Sequence, residues 1–433
     1  PEEIEAARAS KPASELPARA EVALLTGANG FLGRFLTLEL LERLSGERKK
    51  VYALVRAPSD AAAFERLASS YRMDPALSRR FDELSAGGRL TVLAGDLMKP
   101  RLGLAEDVYA RLAEEVDLVL HNGALVNHAL GYAAMFEPNV LGTVEVMRFA
   151  LARRIKSMSF ISTIAVLYGV DRTEPVREDE DVRTLFTERP TEAGYAAGYG
   201  GTKWAGELLL RDAHEKLGLP VAVFRPSEIM AHRRYHGQVN VPDFFTRLLA
   251  GIVYTGLAPR SFYTADAPER AKHYDGTPVD VVARSIATLS IARGGGEAAR
   301  PAVRATYDTY HVVNPHQDDG ISLDVIVHWV KTAGYPAKRI ADYDTWYKMF
   351  RERLTSLAEP KRQHSPLAIL HAWEHPQGDH GQPVLDTTHI LERLRSIEPS
   401  LADFPHVSEA FIHKELDDMA VLHLIDRPLR MAG

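Results

Sequence analysis

The sequence contains no cysteine among its 433 residues. Disulfides, thiolate zinc sites, iron–sulfur clusters and thiol nucleophiles are therefore excluded, and any catalysis rests on hydroxyls, carboxylates, histidine, lysine or a cofactor. No apolar run approaches the roughly 18 residues that a membrane span requires, and the N-terminus lacks the basic-then-apolar order of a signal peptide. These absences predict a soluble, cytoplasmic protein.

A strong charge of one sign is also missing, because 52 Lys and Arg residues stand against 58 Asp and Glu residues, a net charge of −6. This balance argues against a general nucleic-acid binder. With 45% hydrophobic residues, the chain is long enough for two or three domains with real cores, and a wholly disordered chain is excluded. Residues 1–20, rich in Ala, Glu and Pro, predict a linker to the rest of a longer polypeptide.

Short apolar runs alternate with helical patterns from Val22 onward, as expected for repeated strand–helix–strand units. This alternation predicts an α/β fold with a doubly wound parallel sheet of the Rossmann type. The predicted strands are 22–26, 51–55, 90–96, 116–124, 158–163 and 221–226.

The alternation ends after Pro226. A short strand running into a helix at 278–292 and a last strand at 309–315 return to the sheet pattern, whereas 321–433 is mostly helical. We therefore expect a cofactor-binding domain at 21–230, completed by 271–315, and a smaller, mostly helical substrate-binding domain made of 231–270 and 316–433.

A glycine turn, Gly27, Gly30 and Gly33, lies between the first predicted strand and helix. Glycines here let the backbone approach a pyrophosphate at the helix N-terminus. The alternative is a tight structural turn, but the surrounding strand–helix–strand unit favours a dinucleotide site.

The end of the second strand carries Arg56, where an NAD-specific site usually has an acidic residue for the ribose 2′-hydroxyl. Arg34 directly follows the last glycine. Two guanidinium groups favour a 2′-phosphate, and hence NADPH over NADH, although either arginine alone is also explained as a surface charge. Asp96, at the end of the third strand, is a candidate adenine contact or an ordinary loop residue.

Tyr199 and Lys203 open a predicted helix that runs to about residue 216. Spaced at i and i+4, they share one helix face, so the ammonium is expected to lower the phenol pKa from about 10. They follow a strand that ends at Thr163, the order of a hydroxyl–tyrosine–lysine reductase. Tyr195 has no lysine at that spacing and is the weaker candidate acid.

Several motifs resemble known families. TGANGFLG at 26–33, YGGTK at 199–203 and the Arg-Pro pair that ends the sixth strand resemble the extended short-chain dehydrogenase/reductases. Over about residues 21–430, four longer segments are similar to the C-terminal thioester reductase domain of carboxylic acid reductases: 121–128, 225–249, 273–280 and 309–324. The HNGA beginning of the first departs from the family's more apolar H-x-A-A, which leaves the role of Asn122 open.

The resemblance implies NADPH-dependent reductive release of a carrier-bound acyl thioester as an aldehyde. It implies Thr163, Tyr199 and Lys203 as catalytic residues. The cofactor contacts it implies are Thr26, Gly27, Asn29, Gly30, Phe31, Leu32, Gly33, Arg34, Arg56, Asp96, Leu97, His121, Gly123, Ala124, Tyr199, Lys203 and Pro226.

Thioester reduction also follows from the chemistry of these side chains. Hydride addition to a thioester carbonyl builds negative charge on oxygen, which Tyr199 would protonate and Thr163 would hold. Lys203 would support the phenol and the nicotinamide ribose. The hemithioacetal would then collapse to an aldehyde and the pantetheine thiol.

The resemblance implies an acyl-phosphopantetheine carrier domain of the same polypeptide as the partner, and no L-G-G-x-S carrier motif occurs in this chain. A monomer is expected. The basic segment 232–236 is expected at the mouth of the cleft, where it either contacts the phosphate of the pantetheine arm or forms a solvated turn.

His371, His375 and His380 lie close together in the sequence, but the order is not H-E-x-x-H, and a proline follows His375. A polar helix end is therefore favoured over a metal site, and we expect no metal.

Three alternatives to an aldehyde-forming reductase remain. A four-electron reductase would release an alcohol. An NAD-dependent nucleotide-sugar epimerase or dehydratase shares the catalytic triad, but Arg56 and the motifs after residue 225 count against it. A non-catalytic dinucleotide-sensing protein would not need Tyr199 and Lys203 together.

Overall fold

The fold is known from a computed structural model. It describes residues 16–170, 174–186, 196–292, 306–378 and 383–428, together with Ser10, Pro12 and Arg172. The strands are β1 Val22–Thr26, β2 Lys50–Val55, β3 Leu90–Ala94, β4 Leu118–His121, β5 Ser157–Ile161, β6 Val221–Pro226, β7 Glu228–Met230, β8 Leu257–Pro259, β9 Gly276–Pro278, β10 Tyr307–Val312 and β11 Lys338–Ile340. Seven of them form a parallel central sheet in the order β10-β6-β5-β4-β1-β2-β3, which confirms the predicted fold class.

Helices cover both faces of this sheet, which explains why its strands are apolar runs rather than alternating patterns. The helices are α1 Phe31–Arg43, α2 Asp60–Ser69, α3 Pro75–Ser85, α4 Glu106–Glu115, α5 Tyr132–Met135, α6 Gly142–Leu151, α7 Ala197–Leu217, α8 Phe244–Thr255, α9 Glu269–Lys272, α10 Val279–Ala292, α11 Leu323–Thr332, α12 Tyr343–Thr355, α13 Glu359–Gln363, α14 Thr388–Ile397 and α15 Glu409–Val421; a π-helix, Phe136–Leu141, joins α5 to α6.

The strand order reverses at β1, because β2 and β3 lie on one side of it and β4, β5 and β6 on the other. In open α/β sheets, ligands bind outside the carboxyl ends of the strands at such a point. The fold therefore predicts a ligand site at the loops that follow β1 and β4.

Two apolar cores lie on the two faces of the sheet. One contains side chains of α1 and α10, such as Phe35 and Ile286, and the other contains side chains of α6, such as Phe149. A separate core is built from α8, α11, α12 and α15, with Trp346 and Phe350 fully buried in it.

The helical part of the chain does not all belong to that separate core. Ile390, Leu394, Leu401 and Phe404 pack into the core of the sheet beside α10. Residues 388–404, which the sequence pattern groups with the substrate domain, thus return to the cofactor-binding domain because their apolar face matches α10.

The predicted linker also contacts the fold. Leu16 is buried in the core that contains α6, and the Ser10 hydroxyl donates to the Leu151 carbonyl at the end of that helix, 2.7 Å away. Across the described residues, no helix combines the length and apolarity that crossing a membrane requires.

Candidate active site

A cleft of about 1650 Å³ opens at the carboxyl ends of the sheet strands. Its floor is formed by the loops after β1 and β4, and its opposite wall by α8 and the segment 368–372. The cleft therefore lies between the cofactor-binding domain and the smaller helical core, a common place for ligand sites.

The turn after β1 leaves no room for side chains. A Cβ on Gly27, whose φ is +68°, would lie 2.7 Å from the Gly123 Cα. A Cβ on Gly33 would lie 2.0 Å from the Gly27 carbonyl oxygen. Helix α1 thus packs against the turn, and the loop after β4 packs against its other side.

Asn122 supports this turn. Its side-chain amide donates to the Gly27 carbonyl oxygen, 3.1 Å away. The neighbouring His121 is 1% exposed and lies between the hydroxyls of Thr26 and Thr143, at 2.8 and 3.1 Å, and burial lowers its pKa to about 3. His121 thus has a structural place behind the loop, whereas Asn122 both supports the turn and lines the cleft.

The N-terminus of α1 faces the cleft at Gly30, Phe31 and Leu32. Gly30 is the N-cap and supplies no capping side chain, so the helix presents backbone N–H groups at this end. A pyrophosphate fits this glycine-lined helix end because backbone donors and the helix dipole both favour an anion.

Arg56 and Arg66 line the cleft at the end of β2. The Arg66 guanidinium donates to the Arg56 backbone carbonyl at 2.7 Å, which places it beside the end of β2. Arg34, in contrast, packs over the rings of Phe31 and Phe35, and burial lowers its pKa to about 10. Of the two arginines predicted to bind a 2′-phosphate, Arg56 lines the cleft and Arg34 does not, and Arg66 lines it as well.

Most of the predicted site residues line the cleft. Three do not: Gly33 packs under the turn, Arg34 packs on aromatic rings, and His121 is buried behind the loop. The predicted residues that line it are Thr26, Gly27, Asn29, Gly30, Phe31, Leu32, Arg56, Asp96, Leu97, Gly123, Ala124, Thr163, Tyr199, Lys203 and Pro226.

Thr163, Tyr199 and Lys203 meet at the same cleft from two elements. Thr163 caps a short 3₁₀ turn after β5, where its hydroxyl accepts from the Ala165 N–H at 3.2 Å. Tyr199 and Lys203 lie one turn apart near the N-terminus of α7. The Lys203 ammonium donates to the Ile161 carbonyl at 2.7 Å, which connects α7 to the end of β5.

The pKa values of Tyr199 and Lys203 differ from the expectation. Burial raises the pKa of the Tyr199 phenol above its usual value, so the phenol is protonated at neutral pH. Burial also lowers the pKa of Lys203 to about 7, against the raising effect of the Glu207 carboxylate. The expected lowering of the Tyr199 pKa by Lys203 is not found, because the ammonium contacts Ile161 and the Phe160 ring instead.

A buried ion pair holds the inner part of α7. The Glu207 carboxylate accepts from the Arg225 guanidinium at 2.6 Å, and both side chains are at most 1% exposed. Ser162, next to Thr163, donates to the same carboxylate. The i, i+4 step from Lys203 to Glu207 was a readable signal that the sequence analysis missed.

Three further cleft residues were missed. The His128 ring lies 5.8 Å from the Tyr199 ring, and burial lowers its pKa to about 4. At the substrate end, Glu228 hydrogen-bonds to Asp243, and burial with this neighbouring carboxyl raises the pKa of Glu228 well above its usual range. No sequence pattern pairs these residues, because they come from separate elements.

The other candidate segments lie away from the cleft. None of residues 232–236 lines it, and Arg233 pairs with Asp280 at 2.7 Å, so the predicted position at its mouth is wrong. Within the described part of the chain, no three His, Asp or Glu side chains form a group suited to a metal ion. Tyr195 and His380 lie outside the described residues.

Known proteins resemble this chain over almost its whole length. The family model described as "Male sterility protein" matches residues 25–286. The carboxylic acid reductase of Segniliparus rugosus is 44% identical over 96% of this chain and 34% of its own length. The chain thus spans about a third of that relative.

Two solved structures match almost all of this chain and are themselves matched over almost their whole length. The crystal structure of the reductase domain of a nonribosomal peptide synthetase from Mycobacterium tuberculosis is 39% identical, with a TM-score of 0.85, and the match covers 98% of this chain and 96% of that one. The terminal reductase domain from the myxalamid biosynthetic pathway is 30% identical, with a TM-score of 0.75 over 99% of both chains.

Proposed function

The chain belongs to the "Male sterility protein" family, among the reductase domains of carboxylic acid reductases and nonribosomal peptide synthetases, and from this premise we propose that it reduces a carrier-bound acyl thioester to an aldehyde with NADPH. It is an oxidoreductase with a nicotinamide-cofactor fold. The observation that carries the proposal is that Thr163, Tyr199 and Lys203 line one cleft with the glycine turn.

The cofactor would be held by the turn and the N-terminus of α1, with Pro226 beside the reacting end. Bound NADPH supplies a hydride for the thioester carbonyl. Arg56 and Arg66 support NADPH over NADH, because two guanidinium groups at the end of β2 match a 2′-phosphate.

The chain's own residues bind and protonate the carbonyl oxygen of the thioester. The Thr163 hydroxyl donates a hydrogen bond to the carbonyl oxygen, and Tyr199 transfers its proton to that oxygen as negative charge develops. The Tyr199 phenol, whose pKa is raised by burial, carries a proton at neutral pH, as this step requires. For Lys203 to compensate the resulting phenolate, its amine must be protonated and must move from the Ile161 carbonyl toward the phenol.

Collapse of the hemithioacetal breaks the carbon–sulfur bond. The hydroxyl proton returns to the Tyr199 phenolate, and the departing sulfur takes a proton from water. The products are an aldehyde and a pantetheine thiol, a two-electron reduction overall. The wide cleft between the two cores accommodates both the acyl group and the arm that carries it.

The experiment that tests this function follows NADPH oxidation by the chain with hexanoyl-pantetheine and identifies the product. We expect hexanal, and we expect Tyr199→Phe to lower kcat by at least about a hundredfold, the usual contribution of general acid catalysis. NADPH binding should persist in the variant, since the phenyl ring keeps the packing against His128.

Tyr168→Phe is the matched control, because Tyr168 lines the same cleft but has no lysine four residues later. Equal losses in both variants would remove Tyr199 from the chemistry. Absence of aldehyde with a protein that still binds NADPH would refute the proposed reaction.

A further inference from the structure

Large apolar side chains are exposed at few places in the described chain. Of the eight that are, five lie between residues 125 and 141: Leu125, Val126, Leu130, Phe136 and Leu141, with exposures from 37% to 58%. A sixth, Met98, is 50% exposed. We call these six residues the apolar patch. Clustered exposed apolar side chains mark protein interaction sites or ligand-binding grooves.

The two segments that carry most of the patch are held to each other by hydrogen bonds. The Asn139 side chain accepts from the Leu125 N–H at 2.7 Å and donates to the Leu125 carbonyl at 3.0 Å, which fixes the loop after β4 against the π-helix. Leu97, the neighbour of Met98, lies against Gly142 at the end of the π-helix.

The π-helix turns two of these side chains to one face. The Gly142 N–H bonds to the Glu137 carbonyl, five residues earlier, so residues five apart become neighbours. Phe136 and Leu141 have this spacing, and both are exposed. π-Helical turns are uncommon and are frequent at functional sites, which fits a surface shaped for contact rather than a packing defect.

The patch extends across the rim of the cleft. Met98, Leu125, Val126 and Phe136 line the cleft, so a ligand inside it covers them in part. Leu130 and Leu141 are not among the described cleft residues. A small substrate has no use for these two, whereas a domain that presents its thioester from outside must stand against this rim.

We propose that the apolar patch is the docking surface for the carrier domain that delivers the acyl thioester. This inference rests on the proposed function, because the occupant is fixed by the substrate being tethered. The arm enters past Val126 and Phe136, while an apolar face of the carrier domain covers Leu130 and Leu141. Docking then positions the thioester before the chemistry begins.

The test compares kcat/KM for two substrates of the full chain: hexanoyl-pantetheine, and a hexanoyl group on a phosphopantetheinylated carrier domain. The wild-type chain is expected to favour the carrier-bound substrate. Leu141→Asp and Leu130→Asp are each expected to lower the ratio of the two efficiencies by about tenfold, because an aspartate in the contact stays unpaired.

Phe64→Asp is the matched control. Phe64 is 44% exposed on α2, which covers the opposite face of the sheet from α6. The ratio of kcat/KM for the carrier-bound substrate to kcat/KM for hexanoyl-pantetheine should be the same in Phe64→Asp as in the wild type.

Four outcomes overturn the proposal. They are a wild type without preference for the carrier substrate, patch variants with an unchanged ratio, equal losses on both substrates, and a wild-type dimer in light scattering that Leu141→Asp dissociates. Failure of the proposed function is separate, since it shows as no aldehyde from wild type with hexanoyl-pantetheine.

Discussion

The Gly27 carbonyl oxygen is the point on which the cofactor turn depends. It accepts from the Gly30 N–H at 3.1 Å and from the Asn122 amide at 3.1 Å, and it excludes any side chain at Gly33. The turn is thus shaped by contacts within the protein, which reduces the conformational freedom lost when a dinucleotide binds.

Arg66 is the residue by which cofactor preference can be tested. Arg66→Ala removes a cleft guanidinium and its bond to the Arg56 carbonyl. We expect the KM for NADPH to rise about tenfold or more, since a charge-assisted hydrogen bond contributes roughly 1.5–3 kcal/mol. The KM for NADH, which lacks the 2′-phosphate, should change little.

Steady-state kinetics with both cofactors measures this difference. Arg72→Ala serves as the control, because Arg72 is exposed and pairs with Glu65 outside the cleft. A parallel rise in KM for NADH would show that Arg66 supports the loop rather than the phosphate.

The sequence identifies some of these residues and misses others for a physical reason. Gly27, Tyr199 and Lys203 belong to local patterns, in which spacing along one element sets their relative position. Arg66 and His128 reach the cleft only because separate elements converge there, and no spacing in the chain records that approach.

Helix α7 carries two of the three residues that we propose for the chemistry. Tyr199, Lys203 and Glu207 follow one another at four-residue steps and so share one face, from the cleft to the buried Arg225. The helix lies close to its neighbours: a Cβ on Gly206 would lie 2.8 Å from the Phe160 ring. The position of its inner part is therefore set by packing against β5 and β6.

The boundaries of the elements were predicted less well than their existence. The runs at 116–124 and 309–315 form shorter or shifted strands, Leu118–His121 and Tyr307–Val312. The apolar pattern continues past the hydrogen-bonded ladder, because the residues that follow β4 pack around the cleft instead of pairing in the sheet.

The lowered pKa of Lys203, about 7, makes the stability of this helix depend on pH. Between about pH 7 and the ordinary lysine pKa near 10.4, the unfolded chain binds a proton that the folded chain does not. Unfolding free energy therefore rises with pH in this window and the contribution is lost as pH falls through 7. The unfolding free energy of the wild type minus that of Lys203→Met should increase by about 2 kcal/mol from pH 8 to pH 9.5.

Urea denaturation at the two pH values gives this difference. Lys216→Met places the same substitution on the exposed end of α7, where the lysine pairs with Asp212. A wild-type advantage that stays constant or shrinks with pH would mean that Lys203 keeps its proton when buried.

At the scale of the whole molecule, the cleft exists because two cores lie side by side. The glycine turn and the arginines belong to the sheet, whereas Asp243 and the segment 368–372 come from the helical core. The chain crosses between them several times, and Leu401 and Phe404 pack back into the sheet after the second core has begun. These crossings should make the two cores unfold together.

Thermal unfolding with NADPH tests this coupling. The groups that would hold the cofactor all lie in the sheet domain, whereas three of the four tryptophans, Trp329, Trp346 and Trp373, pack in the helical core. Tryptophan fluorescence therefore reports mainly on the core that does not hold the cofactor, and circular dichroism reports on the whole chain. At 100 times its Kd, NADPH should stabilise the folded state by about 2.7 kcal/mol, a rise in Tm of about 3 °C for a chain of this length.

Because the cores are joined, we expect NADPH to raise the Tm followed by fluorescence and the Tm followed by circular dichroism by the same amount. At a fixed NADPH concentration, Arg66→Ala should reduce both increases in Tm equally. Leu401→Ala, which weakens the packing of the returning segment, should separate the two transitions. If NADPH raises the Tm of the wild type followed by circular dichroism but not the Tm followed by fluorescence, the two cores unfold independently. The cleft between them can then open without loss of either fold.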